Sequence, residues 1–279
     1  MKAYLATFLK YKYLLHNLIS RDLKVKYRRS TLGLLWSVLN PLLMSIVISI
    51  VFQNFFRFDV PNFAIYYLTG SLIFNFMNEA TSSAMVSIVG NAPLIKKVYI
   101  PKYIFPLEKV MFAFVNMLFS MIALVIMMGV TKLGIIGSAA DLNISWTIVL
   151  FFIPMLYTLV FSLGLGLILA AVNVYFRDVG HLYSVWTMAW MYLTPIIYPM
   201  NVVEGTWAMN IIRLNPMYYF VTYFRDVVTN GTVPGLKPIC CVWESLCCSL
   251  CWDYGCLRKS RTGLFCSFKG GASWPTLLR

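Results

Sequence analysis

Arg21-Asp-Leu-Lys-Val-Lys-Tyr-Arg-Arg29 runs directly into Ser30–Phe56, a stretch without a single charged residue. A bilayer crossing takes ~20 consecutive apolar residues, so this stretch is long enough to span. Lys and Arg beside a span are retained on the cytoplasmic side, so the basic run sets the direction of the crossing. The chain is therefore expected to be an all-α integral membrane protein with a cytoplasmic N-terminus.

The rest of the sequence agrees. Apolar residues make up 60% of the 279 residues and charged ones only 12%, about half the share in soluble domains. A net charge of +13 raises the question of nucleic acid. The basic residues fall in short loops between apolar runs, which is a topology signal and excludes a nucleic-acid surface. A cleavable signal is not expected, because the first apolar run follows eight Lys and Arg residues and is too long for a signal core.

Residues 1–29 alternate apolar side chains such as Leu5, Phe8, Leu15 and Ile19 with Lys10, Lys12, Asn17 and Arg21. That pattern predicts an amphipathic helix lying on the inner membrane surface. Spans are expected at about 33–56, 63–88, 107–130, 146–172 and 181–199. Between 194 and 230, Pro195, Pro199 and Pro216 leave apolar pieces too short to cross. Broken helices at membrane depth survive only inside protein or along a cavity, so a re-entrant helix pair on the outer side is expected. A sixth span at about 238–257 would return the chain to the cytoplasm. The domain reading is thus an interfacial helix at 1–29, a transmembrane domain at 30–236 and an atypical tail at 237–279.

The tail makes the last span aberrant. All seven cysteines lie between Cys240 and Cys266. Cys248 and Cys251 have CxxC spacing, but the remaining spacing is irregular and no histidine lies near, so zinc is poorly supported. A disulfide framework belongs to small secreted domains. A span rich in Leu and Val, read one base out of frame, yields Cys and Trp codons, and an out-of-frame tail is the preferred reading. A genuine cysteine-rich span is the alternative; Glu244 and Asp253 weigh against it, at roughly 2.5–3.5 kcal/mol each at mid-membrane.

No Gly-x-x-x-x-Gly-Lys-Ser/Thr loop and no His-Glu-x-x-His motif occurs. His16 and His181 stand alone, in or beside inner loops. Catalysis by this chain is not expected, and it carries no cofactor or metal of its own.

Several motifs together resemble one family. They are Tyr27-Arg-Arg-Ser-Thr-Leu-Gly-Leu-Leu-Trp36 with Pro41, Asn91-Ala-Pro-Leu-Ile-Lys-Lys-Val-Tyr-Ile-Pro101, Phe176-Arg-Asp-Val179, Pro195-Ile-Ile-Tyr-Pro199 and Asn215-Pro-Met217. Their order is similar to that in the ABC-2 type permeases that export capsule, O-antigen or teichoic-acid chains. The resemblance implies a homodimer of six-span subunits in the bacterial inner membrane. It implies two copies of a separate ABC ATP-binding subunit, which holds ATP and Mg, and a glycan on a polyprenyl pyrophosphate lipid as cargo. An ABC-2 exporter of a drug or lipid and an intramembrane sugar-phosphate transferase are the competing readings. The second would need clustered acids at the inner face, which the inner loops lack.

Candidate residues follow from both sources. Lys96, Lys97, Tyr99 and Pro101 lie in a short, Pro-bounded basic loop that the resemblance makes the coupling helix to the ATPase; the plainer alternative is that its lysines only fix topology. Arg28 and Arg29 stand where a lipid pyrophosphate would meet the protein, and arginine binds phosphate in a bidentate way; topology is again the alternative. Ser71, Asn75, Asn78, Glu79 and Ser82 recur at spacings of three and four, on one helical face. An acid inside a span is a functional candidate, so Ser71, Asn75 and Glu79 are read as lining the pathway, with interhelical hydrogen bonding as the alternative. Tyr183, Trp186 and Trp190, beside Thr187 and Thr194, form an aromatic stripe that would stack on sugar rings or, alternatively, pack in an interfacial belt. Ser162, Gly166 and Ala170 are small residues four apart that favour close helix packing.

Overall fold

The computed structural model describes residues 2–28, 32–54, 60, 62–98, 100–134 and 146–232. Tyr99, Arg29, the cysteine-rich tail and the expected sixth span lie outside the described residues. All regular structure among the described residues is helical. The helices are α1 (Lys2–Tyr27), α2 (Leu35–Asn54), α3 (Phe63–Gly90), α4 (Ala92–Lys97), α5 (Ile104–Lys132), α6 (Phe152–Tyr175, entered through a 3-10 turn, Trp146–Phe151), α7 (Val179–Tyr192), α8 (Ala208–Leu214) and α9 (Pro216–Arg225).

Among the described residues, three helical stretches are long and apolar enough to cross a membrane: Leu35–Gln53, Ile104–Lys132 and Ile148–Tyr175. Apolar surface gives no drive for helix association in lipid, so the helices must fit by small residues and hydrogen bonds. In α2, Ser45 and Ser49 are buried while Leu43, Val47 and Ile50 point outward. The Ser120 hydroxyl of α5 donates to the Ser37 carbonyl of α2 at 3.0 Å.

Helix α3 is the centre of the molecule. It packs against α2, α5, α6, α7 and α9. Its 28 residues make a rod of about 42 Å. It carries more polar residues than the three apolar helices because most of its surface meets protein. At its contact with α6, Gly166 is buried so closely that a Cβ there would lie 2.9 Å from the Ala84 Cβ. Ser162 and Ala170 are buried on the same side of α6, and Asn173 donates across to the Met85 carbonyl at 3.1 Å. The small-residue stripe is a packing seam.

The interval expected as a fifth span, 181–199, is not one helix. Helix α7 stops at Tyr192 after 14 residues, about 21 Å, short of a ~30 Å hydrocarbon core. Pro195 explains the stop, because the residue before a proline is pushed out of the helical region. Beyond it lie a short 3-10 turn (Met200–Val202), α8 and α9, with Asn215-Pro216 dividing the last two. The basic inner loop is mostly helical: α4 occupies 92–97, and α5 starts at Ile104 because Pro106 falls in its first turn, where no backbone N–H is needed.

Candidate functional site

The polar residues of α3 share one face, and that face is the least covered part of a helix otherwise enclosed by protein. Asn75 is exposed, and Asn78, Glu79 and Ser82 are half-buried. Ser71, at the other end of the stripe, is buried and bonds back to the Leu68 carbonyl of its own helix. Ser82 donates to the Asn78 side chain at 3.1 Å. The face is bounded by two fastenings. On one side Thr81 meets the Tyr183 hydroxyl of α7 at 2.6 Å. On the other, both Glu79 carboxylate oxygens accept from the Asn116 amide of α5, at 2.9 and 3.2 Å.

Glu79 does not stand alone. It lies 11 residues before Gly90, the last of α3, or about 17 Å along the helix. The Lys26 ammonium reaches it at 3.0 Å and also lies 5.3 Å from the Phe112 ring centroid. Next to it, the Tyr27 hydroxyl donates to Asn116 at 2.7 Å. The last turn of α1 thus closes a chain Lys26–Glu79–Asn116–Tyr27 over α3 and α5. A turn earlier, Asp22 is paired with Lys109 of α5 and with Arg21. Burial pushes the Asp22 carboxyl up, but the hydrogen bonds from Lys109 and Arg21 and the Lys109 charge more than offset it, holding it below the usual range.

Sequence periodicity finds α1 but not what it touches. Its inward residues Leu14, Leu15 and Leu18 join Tyr11 in an apolar cluster with Leu94 and Ile95 of α4 and with Ile100, Tyr103, Ile104 and Phe105. Asn17, Arg21, Lys24 and Arg28 line an open cavity of about 450 Å³ along another side of α1. Arg28, the candidate phosphate ligand, is exposed there. In α4, Lys96 and Lys97 are exposed and no residue is buried. Pro101 is half-buried in the link to α5.

The aromatic stripe of α7 divides. Tyr183 is buried against α3. The Trp190 indole donates to the Asn215 side chain at 2.6 Å, and its ring meets Phe161 edge-on. Trp186 is 60% exposed and lies 6.2 Å from the Trp190 ring. Two of the three are therefore fastened to protein and one is open.

Beyond Tyr192 the broken backbone is satisfied by side chains from afar, as a break away from water requires. Asn215 accepts from the Trp190 indole and from the Met217 backbone N–H, capping α9, and donates to the Leu193 carbonyl and the Thr194 hydroxyl. Arg225 is buried with its guanidinium 3.6 Å from the Tyr66 ring centroid. It donates to the Tyr66 carbonyl at 3.1 Å and reaches the Ile196 carbonyl at 3.5 Å. The Tyr66 hydroxyl in turn donates to the Tyr198 carbonyl at 2.9 Å. Gly70 makes the room, since a Cβ there would lie 2.7 Å from the Arg225 Nη2. No sequence signal marked Arg225 or Gly70.

Among the described residues the fold is a helical bundle with three helices long and apolar enough to cross a membrane, which marks a membrane protein. Residues 13–229 match the ABC-2 type transporter family, and the chain belongs to that family. It is similar to the O-antigen export system permease protein RfbA of Klebsiella pneumoniae, at 30% identity over 77% of this chain and 79% of that one. It is also similar to the protein of the same name from Myxococcus xanthus, at 29% over 90% and 93%. The capsule polysaccharide export inner-membrane protein CtrC of Neisseria meningitidis serogroup A is 25% identical over 89% and 90%.

Proposed function

We propose that this chain is the membrane permease of an ATP-driven exporter that moves a polysaccharide on a polyprenyl pyrophosphate lipid across the bacterial inner membrane. The observation that carries this reading is the open polar face of α3. Asn75 is exposed and Asn78, Glu79 and Ser82 are half-buried, in a helix enclosed on its other sides. In this reading α3 crosses the membrane, where uncovered polar groups belong beside water, a cargo or a second copy. The relatives' names supply the cargo class, because they export O-antigen and capsule polysaccharide. In this reading two copies of the chain place their α3 faces around a shared pathway, and Trp186 offers an exposed ring for sugars. Tyr183 and Trp190 hold the wall in place, and Ser71 stiffens it.

The chain has six crossings here, with the N-terminus in the cytoplasm. Helices α2, α3, α5 and α6 cross fully. Helix α7 with the turn after it makes up a fifth crossing, α8 and α9 form the re-entrant pair, and the sixth falls in 238–257. Two copies of a separate ABC ATP-binding subunit supply ATP, Mg and hydrolysis; this chain is not an enzyme. Lys96 and Lys97 point outward from α4 and serve as the contact to that partner, with Tyr99 and Pro101 closing the loop. Arg28 and Arg29 take the pyrophosphate, supported by the exposed basic side of α1.

The test is reconstitution of the chain with an ABC ATP-binding subunit from the same organism, in vesicles carrying lipid-linked glycan. Glycan should become accessible to an external glycosidase only with ATP and Mg. Lys96→Glu with Lys97→Glu should leave ATP hydrolysis running and cut export at least tenfold. Failure of any glycan to cross, with the ATP-binding protein bound, would refute the cargo assignment.

A further inference from the structure

Helix α1 touches both ends of a possible mechanical path. Its middle shares an apolar cluster with α4: Leu18 packs with Ile100, Ile104 and Phe105, and Leu14 and Leu15 of α1 and Leu94 and Ile95 of α4 lie against that cluster. Its last turn grips the Glu79–Asn116 network through Lys26 and Tyr27. Between the two, Asp22 is tied to Lys109 of α5. From Leu18 to Lys26 is eight residues of continuous helix, about 12 Å of stiff rod. Helix α4 meets α3 at the chain turn Gly90–Asn91, and α5, which follows it in the chain, packs along α3. The rod adds a further route, one that ends on Glu79.

The network at the far end is built to respond. Glu79 is held by Asn116 through both oxygens as well as by Lys26, so loss of the Lys26 contact alone would leave the carboxylate hydrogen-bonded. Lys26 and Glu79 are both about one-third exposed, so the bond between them exchanges with water at small cost. Phe112 offers the departing ammonium a ring face, at 5.3 Å. A pair that opens this cheaply can respond to a small displacement of α1.

We infer that Lys26 is a positioning residue for export: displacement of α4 travels along α1 and reaches the polar face of α3 through the Lys26–Glu79 contact. This rests on the reading of α4 as the contact to an ATP-binding partner. It predicts that nucleotide on the partner changes the surroundings of Ser82, about one turn from Glu79, and that the change passes through Lys26.

The experiment uses the complex with its ATP-binding protein, with the seven cysteines of 240–266 replaced by serine and Ser82→Cys introduced. The rate of labelling by a small thiol reagent is measured with and without a non-hydrolysable ATP analogue and Mg. The expected result is at least a threefold change in rate on adding nucleotide, reduced to under 1.5-fold by Lys26→Gln, on the order of the fold-changes exposed ion pairs control. Lys26→Arg should keep the full response, and Lys26→Glu with Glu79→Lys should restore it. If Lys26→Gln does not assemble, Lys26→Met keeps the stem against Phe112 and replaces it. A response that survives loss of Lys26, or one that is absent in the parent complex, overturns the inference. A response that obeys Lys26 in a complex that exports no glycan refutes the cargo reading and leaves this link standing.

Discussion

Replacing Gly70 by alanine places a methyl carbon 2.7 Å from the Arg225 Nη2, 3.3 Å from the Ile196 Cγ2 and 3.4 Å from the Ile196 Cα. The first distance is impossible without movement, and the guanidinium is the part that can move. Leaving the Tyr66 carbonyl, now at 3.1 Å, forfeits a charged-donor hydrogen bond of about 1.5–3 kcal/mol. The squeeze against the Ile196 backbone adds about 1 kcal/mol. Alanine returns about 1 kcal/mol through helix propensity. The net expectation is a loss of about 1.5–3 kcal/mol. With Arg225→Met already in place the hydrogen bond is gone, so only the squeeze and the propensity remain, and these cancel to about zero. The coupling between the two positions is therefore about 1.5–3 kcal/mol, within the range for residues in contact. Unfolding by sodium dodecyl sulfate in mixed micelles, followed by far-ultraviolet circular dichroism, measures all four corners of the cycle. If Gly70→Ala costs the same with and without Arg225, the socket described here is not what the glycine is for.

The remaining predictions concern other fastenings. Gly166→Ala should cost about 1–3 kcal/mol by the same unfolding assay, because its Cβ would meet the Ala84 Cβ at 2.9 Å, and Ala84→Gly should recover most of that loss. Asn215→Ala should cost about 1–3 kcal/mol, combining a lost cap on α9 of about 1 kcal/mol with a half-buried Trp190 indole N–H left without its partner; replacing Trp190 by phenylalanine beforehand should shrink that cost. The Asp22 carboxyl is held below its ordinary value of 3.8, so the stability it contributes is fully present above that pH and is lost as pH falls through the lower folded value. Proteolytic protection of α1 should accordingly be lower in Asp22→Asn than in the parent at pH 8, and the gap should close as pH falls through the folded value of the Asp22 carboxyl.

The apolar runs were legible because lipid imposes one rule on every residue of a crossing segment, so α2, α5 and α6 declare themselves residue by residue. The leading helix was legible as amphipathic, and the seam at Ser162, Gly166 and Ala170 was legible because small residues four apart have few other uses in a span. The end of α7 was not: apolar residues continue past Tyr192, and only Pro195 hints that the helix has stopped. Contacts between distant residues were not legible either. Lys26 and Glu79 are 53 positions apart, and Arg225 and Tyr66 are 159 apart, so neither pairing leaves a periodic trace. The aromatic stripe shows a different limit. Periodicity places Tyr183 and Trp190 on one face of α7, yet a shared face is as good for packing as for lining, and only the folded contacts show that Tyr183 meets Thr81 and that the Trp190 indole donates to Asn215.

Helix α3 is fastened at four heights: at Tyr66 and Gly70 to Arg225, at Glu79 to Asn116, at Thr81 to Tyr183 and at Ala84 to Gly166. Each residue added to a helix turns everything beyond it by about 100° and shifts it by about 1.5 Å. One codon inserted between Gly70 and Glu79 would keep the outer fastening and misdirect the other three together. The helix works as an index rod, on which the count of residues between marks matters more than most of the residues themselves. Descendants of this gene are free to vary in the lengths of their loops and in the lipid-facing side chains of α2, while the spacing along 66–84 stays fixed to the residue.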